Sequence, residues 1–119
     1  MALETKVEWY GNDKKKDINL GTIKALIRSG NIVQAAAKLN LTENKSVDTG
    51  NLRSSIVKAI DENKLEEVVS TNVVYAAWVE FGDKSTAYQG KPYMGNALRD
   101  NKDNILKIFI SEGKKSVNN

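Results

Sequence analysis

The sequence predicts an α+β fold: an antiparallel sheet of about three to four strands packed against a long helix in the N-terminal half and a second helix near the C-terminus. Three observations predict it. Apolar residues recur at three- and four-residue spacing across Ile18–Leu39 and again from Tyr93 to about Gly113, the period of helices that bury one face. Between them, Ser55–Ile60 and Leu65–Val74 read as the two strands of a hairpin, with polar Asp61-Glu62-Asn63-Lys64 as the turn. The length, 119 residues without internal repeats, suits one domain spanning 1–119, with a radius of gyration of roughly 13 Å if compact.

In chain order, Thr5-Lys6-Val7-Glu8-Trp9-Tyr10 partly alternates and reads as a short strand, and Gly11-Asn12-Asp13 as a turn. Lys14, Lys15 and Lys16 form a basic run whose usual role is a solvated helix end. They are also the candidate contacts for DNA or a partner. In the first helix Ile23, Leu26 and Ile27, then Val33, Ala36 and Ala37, form the inward stripe. Gly30 interrupts it at a cost of about 1 kcal/mol relative to alanine, which marks it as a point for a kink or break. Asn40–Val47 is polar and reads as a loop. On the hairpin, Ile56 and Ile60 share one face, as do Val69, Thr71 and Val73. Tyr75, Trp78, Val79 and Phe81 are spaced so that one helical turn gathers them, with Gly82 as its stop. Asp83–Lys91 reads as a loop. Pro92 opens the last helix, whose inward residues are Met94, Ala97, Leu98, Ile105, Ile108 and Phe109. Asn101–Asn104 breaks that stripe and marks a bend or a partner-facing stretch. Residues from Lys114 to Asn119 read as a frayed, flexible tail.

Composition removes whole classes of function. Hydrophobic residues are 40% and charged residues 28%, a soluble globular profile. No apolar run approaches the roughly 18 residues of a membrane span. Met1–Tyr10 carries Glu4 and Glu8 and resembles no signal segment, so cytoplasmic synthesis is expected. There is no cysteine and no histidine. Disulfides, thiolate zinc sites, cysteine nucleophiles, Ser-His-Asp triads and histidine acid–base chemistry are thereby excluded within one chain, and no cofactor is implied. The net charge of +3 permits contact with phosphate without arguing for it. A sheet of three strands has unpaired edges, which favours burial against another subunit.

Asp48-Thr49-Gly50 matches the nucleophile loop of aspartic proteases, where two subunits would each supply one aspartate. The context disagrees: polar Asn44-Lys45-Ser46 precedes the motif instead of an apolar strand, and Asn51 follows. The simpler reading is a turn capped by Asp48 or Thr49, with Gly50 supplying a backbone conformation other residues resist. Glu80 and Asp83 could form a carboxylate pair as in glycosidases, but nothing near them defines a sugar site. Arg53 is placed to pair with Glu80 or Asp48.

Three segments together carry a resemblance. Val47-Asp48-Thr49-Gly50-Asn51-Leu52-Arg53-Ser54-Ser55-Ile56, Tyr75-Ala76-Ala77-Trp78-Val79-Glu80-Phe81-Gly82 and Lys91-Pro92-Tyr93-Met94-Gly95-Asn96-Ala97-Leu98 resemble, in order and spacing, the signatures of the neck or tail-completion (head–tail connector) family of tailed bacteriophages, typified by gene product ten of a lambdoid phage. Ser46 stands where the family often has proline, Asp83 where it often has threonine, and Gly95-Asn96 where it often has a second proline. The resemblance implies a non-enzymatic structural protein of the virion, assembled in the bacterial cytoplasm. It implies a ring of sister subunits, a hexamer being expected, that touches other neck, connector or tail proteins. It also implies passing contact with DNA in the lumen, and no membrane. The motif residues Asp48, Thr49, Gly50, Leu52, Arg53, Tyr75, Glu80, Phe81, Gly82 and Pro92 then have structural roles, and no catalytic residue follows. A small basic nucleic-acid-binding module is the alternative from another class.

Overall fold

The structure, a computed structural model, describes residues 3–8, 16–44, 49–83 and 88–118. The strand positions Trp9 and Tyr10, the turn at 11–13, Lys14, Lys15 and Asp48 lie outside the described residues. The elements are β1 (Leu3–Glu8), α1 (Lys16–Asn44), α2 (Thr49–Ser55), β2 (Val57–Asp61), β3 (Glu66–Thr71), α3 (Ala76–Phe81), β4 (Gly82–Asp83), β5 (Tyr88–Gln89), α4 (Tyr93–Asp100) and α5 (Lys102–Asn118). The fold is α+β. Its sheet has the order β1-β3-β2 with both pairings antiparallel, and β4 and β5 form a separate small ladder.

Helix α1 dominates the shape. Its 29 residues span about 43 Å at the α-helical rise. The molecule is accordingly elongated, 54 × 23 × 22 Å, with a radius of gyration of 16.0 Å, larger than the value expected of a compact sphere. Leu26, Val33, Ala37 and Leu41 are fully buried. One side of α1 lies on the sheet and another on α4 and α5. Arg28 donates to Glu112 at 2.9 Å and Asn40 Nδ2 to the Tyr93 carbonyl at 3.0 Å, so the α4–α5 limb runs antiparallel to α1. Ile27, expected inward, is 38% exposed.

The break expected at Gly30 does not occur. The buried side chain of Glu67, from the central strand, lies against Gly30, and a Cβ there would collide with the carboxyl group. Without a Cβ, Gly30 leaves room for this side chain in the seam between helix and sheet, and the helix runs through it unbroken despite glycine's poor helix propensity.

At the hairpin, Asp61 Oδ1 accepts from the backbone N–H groups of Asn63 and Lys64, both at 3.0 Å, an Asx-type turn. Leu65 then takes φ = 54°, a left-handed conformation that costs a non-glycine residue roughly 1–2 kcal/mol. Its side chain is buried in the core, which offsets a cost of that size. Residues 49–55, expected as a capped turn leading into a strand, instead form α2, so β2 starts at Val57.

The last helix is two helices. Asn101 stands between them; its side chain donates to the Ala97 carbonyl at 2.9 Å and its own carbonyl accepts from Ile105. Met94, Ala97, Ile105 and Ile108 are buried, with Leu98 and Phe109 packed at the core's margin. Helix α5 continues to Asn118.

Candidate functional site: motif joints and an exposed apolar stripe

The first motif ties α1, α2 and the end of β3 together. Leu52 is fully buried. Ser55 donates to the Leu52 carbonyl and shares a 2.6 Å hydrogen bond with Thr71, whose hydroxyl also accepts from the Val73 N–H. Gln34 of α1 donates to the Ile56 carbonyl at 2.9 Å, fixing the turn from α2 into β2. Arg53 does not reach Glu80; it donates to the Thr42 hydroxyl at 2.7 Å near the end of α1. Asn51 Nδ2 lies 3.3 Å from the Tyr75 hydroxyl, linking this joint to the second motif.

Thr49 and Gly50 lie in the first turn of a helix, not in the extended loop an aspartic protease requires. Gly50 has no positive φ, and a Cβ added there would meet open space. The expected special backbone conformation is therefore absent. Gly50→Ala should be neutral or stabilise the chain by up to about 1 kcal/mol, checked by thermal denaturation followed by circular dichroism.

The second and third motifs form one unit. Pro92 occupies the N-cap position of α4 and offers no side-chain acceptor. The first turn of that helix is capped instead from α3: Glu80 Oε1 accepts from Met94 N at 2.8 Å, and Oε2 accepts from Gly95 N at 2.9 Å. Glu80 is 4% exposed, and both its oxygens are engaged in this way rather than in a paired-carboxylate site. Tyr93 is fully buried and its hydroxyl donates to the Ala76 carbonyl at 3.2 Å. Burial first, then the Glu80 charge and Tyr75, push this phenol far above the ordinary tyrosine range.

Gly82 ends α3 with φ = 84°, a conformation open to glycine. Gly90 stands where any Cβ would strike the backbone of Glu80, Phe81 and Gly82. Lys91 N donates to the Val79 carbonyl at 2.8 Å as the chain returns. A helix opening on proline, with no Ser, Thr, Asp or Asn at its cap, needs an acceptor from elsewhere, and that is the one sign of the Glu80 cap in the sequence.

One expectation for α3 fails. Tyr75 is half-buried and Val79 is buried, but Trp78 is 59% and Phe81 72% exposed. Val74, which is 85% exposed, stands in the turn just before Tyr75, the N-cap of α3, so three apolar side chains of this stretch are open to solvent. Among the described residues no group of acidic side chains could hold a metal ion, and no helix is long and apolar enough to cross a membrane. Lys16 starts α1.

A family model described as "Bacteriophage HK97-gp10, putative tail-component" matches residues 2–82. The chain belongs to this family. It is thus a structural component of a phage tail. The matched span of this HK97-gp10-like protein takes in β1 to α3 and ends at Gly82, so α4 and α5 lie outside it. No curated protein and no solved structure matches the chain.

Proposed function

We propose that this tail component is a ring-forming subunit of the neck or tail end, which joins head to tail or completes the tail. The observation that carries this reading is the exposure of Val74, Trp78 and Phe81. Two exposed aromatic side chains on a short helix, with exposed Val74 in the turn before it, are an unfavourable surface for a free monomer, and aromatic residues are the usual anchors of protein interfaces. The rigid joints behind this surface, above all the Glu80 cap and the Gly82–Gly90 crossing, hold it in place. The outer edges of β1 and β2 pair with no strand among the described residues and offer further surface to sister copies. Head-to-tail contacts repeated around an axis close a ring, and a hexamer is the copy number the family resemblance favours. Other neck, connector or tail proteins would stack on that ring. Its slightly basic character is compatible with DNA passing through the lumen.

The test is complementation of a prophage that lacks the gene, with particles viewed by electron microscopy. Without the protein, heads and tails should remain unjoined or tails should end abnormally. A Trp78→Asp/Phe81→Asp variant that keeps its circular dichroism spectrum should fail to restore them, and should weaken self-association at least about tenfold, the loss expected from a single anchor worth roughly 1.4 kcal/mol. Normal particles in the absence of the gene would overturn the assignment.

A further inference from the structure

The seam between α1 and the sheet contains a group that a purely structural joint does not require. Glu67 lies on the inner face of the central strand, between Val7 of β1 and Ile60 of β2 in register. It is 2% exposed, and its Oε2 has no hydrogen-bond partner. Its side chain is pressed against Gly30 of α1, into space that a Cβ there would take from it.

The charges around it are few. On β2, Lys58 is the cation near enough to favour the ionised form. The inner-face residues of β1 (Leu3, Thr5, Val7) and the remaining inner-face residues of β3 (Val69, Thr71) carry no ionisable group. On α1, Lys24 is exposed, Lys38 is half-buried, and Arg28 is bound to Glu112 of α5. Desolvation outweighs Lys58, so the carboxyl titrates above its ordinary value.

We propose that Glu67 is seated against Gly30 as the neutral acid, so that the docking of α1 on the sheet is a proton-linked latch. In the protonated state the carboxyl fills the seam without a buried charge. On ionisation the same seam must hold an anion with one unbonded oxygen, which is unfavourable in a dry interior. The linkage has a definite sign. The folded state binds the proton more tightly than the unfolded state, so stability falls as pH rises, from the ordinary carboxylate range near about 4.3 up to the folded-state value. Because α1 carries the contacts to both the sheet and the α4–α5 limb, loosening this seam alters the one element that connects the two halves of the fold.

The experiment compares the full chain with Glu67→Gln by urea denaturation from pH 4 to pH 9. The parent's unfolding constant, relative to the variant's, should rise with pH by up to about tenfold per unit within that window, the limit for one proton, and level off above it. Parallel pH profiles for the two proteins would overturn the latch. Where Glu67→Gln does not fold, carbon-13 titration of the Glu67 carboxyl in the parent chain decides instead. A midpoint clearly above the ordinary glutamate value is expected, and one at or below that value overturns the proposal.

Discussion

Tyr93→Ala is expected to destabilise the folded chain by about 3–5 kcal/mol, the range for emptying a buried aromatic site, as measured by urea denaturation. The ring is wholly enclosed where α3, α4 and the end of α1 meet. Its hydroxyl holds the Ala76 carbonyl and its own carbonyl receives Asn40. Tyr93→Phe separates the two contributions. The ring stays, one hydrogen bond goes, and the Ala76 carbonyl loses a donor, a loss of about 1 kcal/mol. A similar loss for both variants would mean that packing matters less here than the geometry indicates. The phenol also has a pH signature. Burial, Glu80 and Tyr75 raise its pKa in the folded chain, so the folded state retains a proton that the unfolded state releases from about pH 10 upward. Stability should fall with pH in that range, and Tyr93→Phe should remove this part of the fall.

The helix stripes and the hairpin were legible because burial imposes their periodicity. For the same reason Met94, Ala97, Leu98, Ile105, Ile108 and Phe109 were placed inward even though their helix divides at Asn101: both halves present one side to α1. Periodicity does not say what covers a stripe. Val74, Trp78 and Phe81 recur at helical spacing as core residues do, yet they face solvent, because Tyr75, Ala76 and Val79 already supply the inner side of α3. Two glycines depart from what local propensity predicts, in opposite directions. Gly30 suggested a break but marks a close approach by Glu67, a partner 37 positions away in the sequence. Gly50 suggested a special turn but sits in an ordinary helical turn with open space around it. Local propensity could not distinguish these, since the deciding neighbour, or its absence, is tertiary. Of the two partners expected for Arg53, Glu80 is not the one it takes: Thr42 lies within reach at the end of α1, while both oxygens of Glu80 hold the start of α4; Asp48 lies outside the described residues.

Glu80→Ala should be the other severe change, with a loss of about 2–4 kcal/mol, because two backbone donors, one buried and one part-buried, each lose a charge-assisted hydrogen bond. Glu80→Gln should fall between the parent and the alanine variant. A carboxamide has one oxygen to accept with, and its NH2 group would face the second backbone N–H, donor against donor. The stronger test uses the reason Glu80 is needed at all. Pro92 stands at the N-cap in an extended conformation and has no acceptor to give. An aspartate there could reach the same Met94 and Gly95 N–H groups locally, since an N-cap side chain bonds to the second or third helical residue. In the Glu80→Ala background, Pro92→Asp should therefore recover about 1 kcal/mol. In the parent it should give no gain or a loss, because its carboxylate would compete with Glu80 for the same donors and repel its charge. Opposite signs in the two backgrounds would show that capping links the second motif to the third. Equal effects would mean that the α3–α4 joint is held by apolar packing alone.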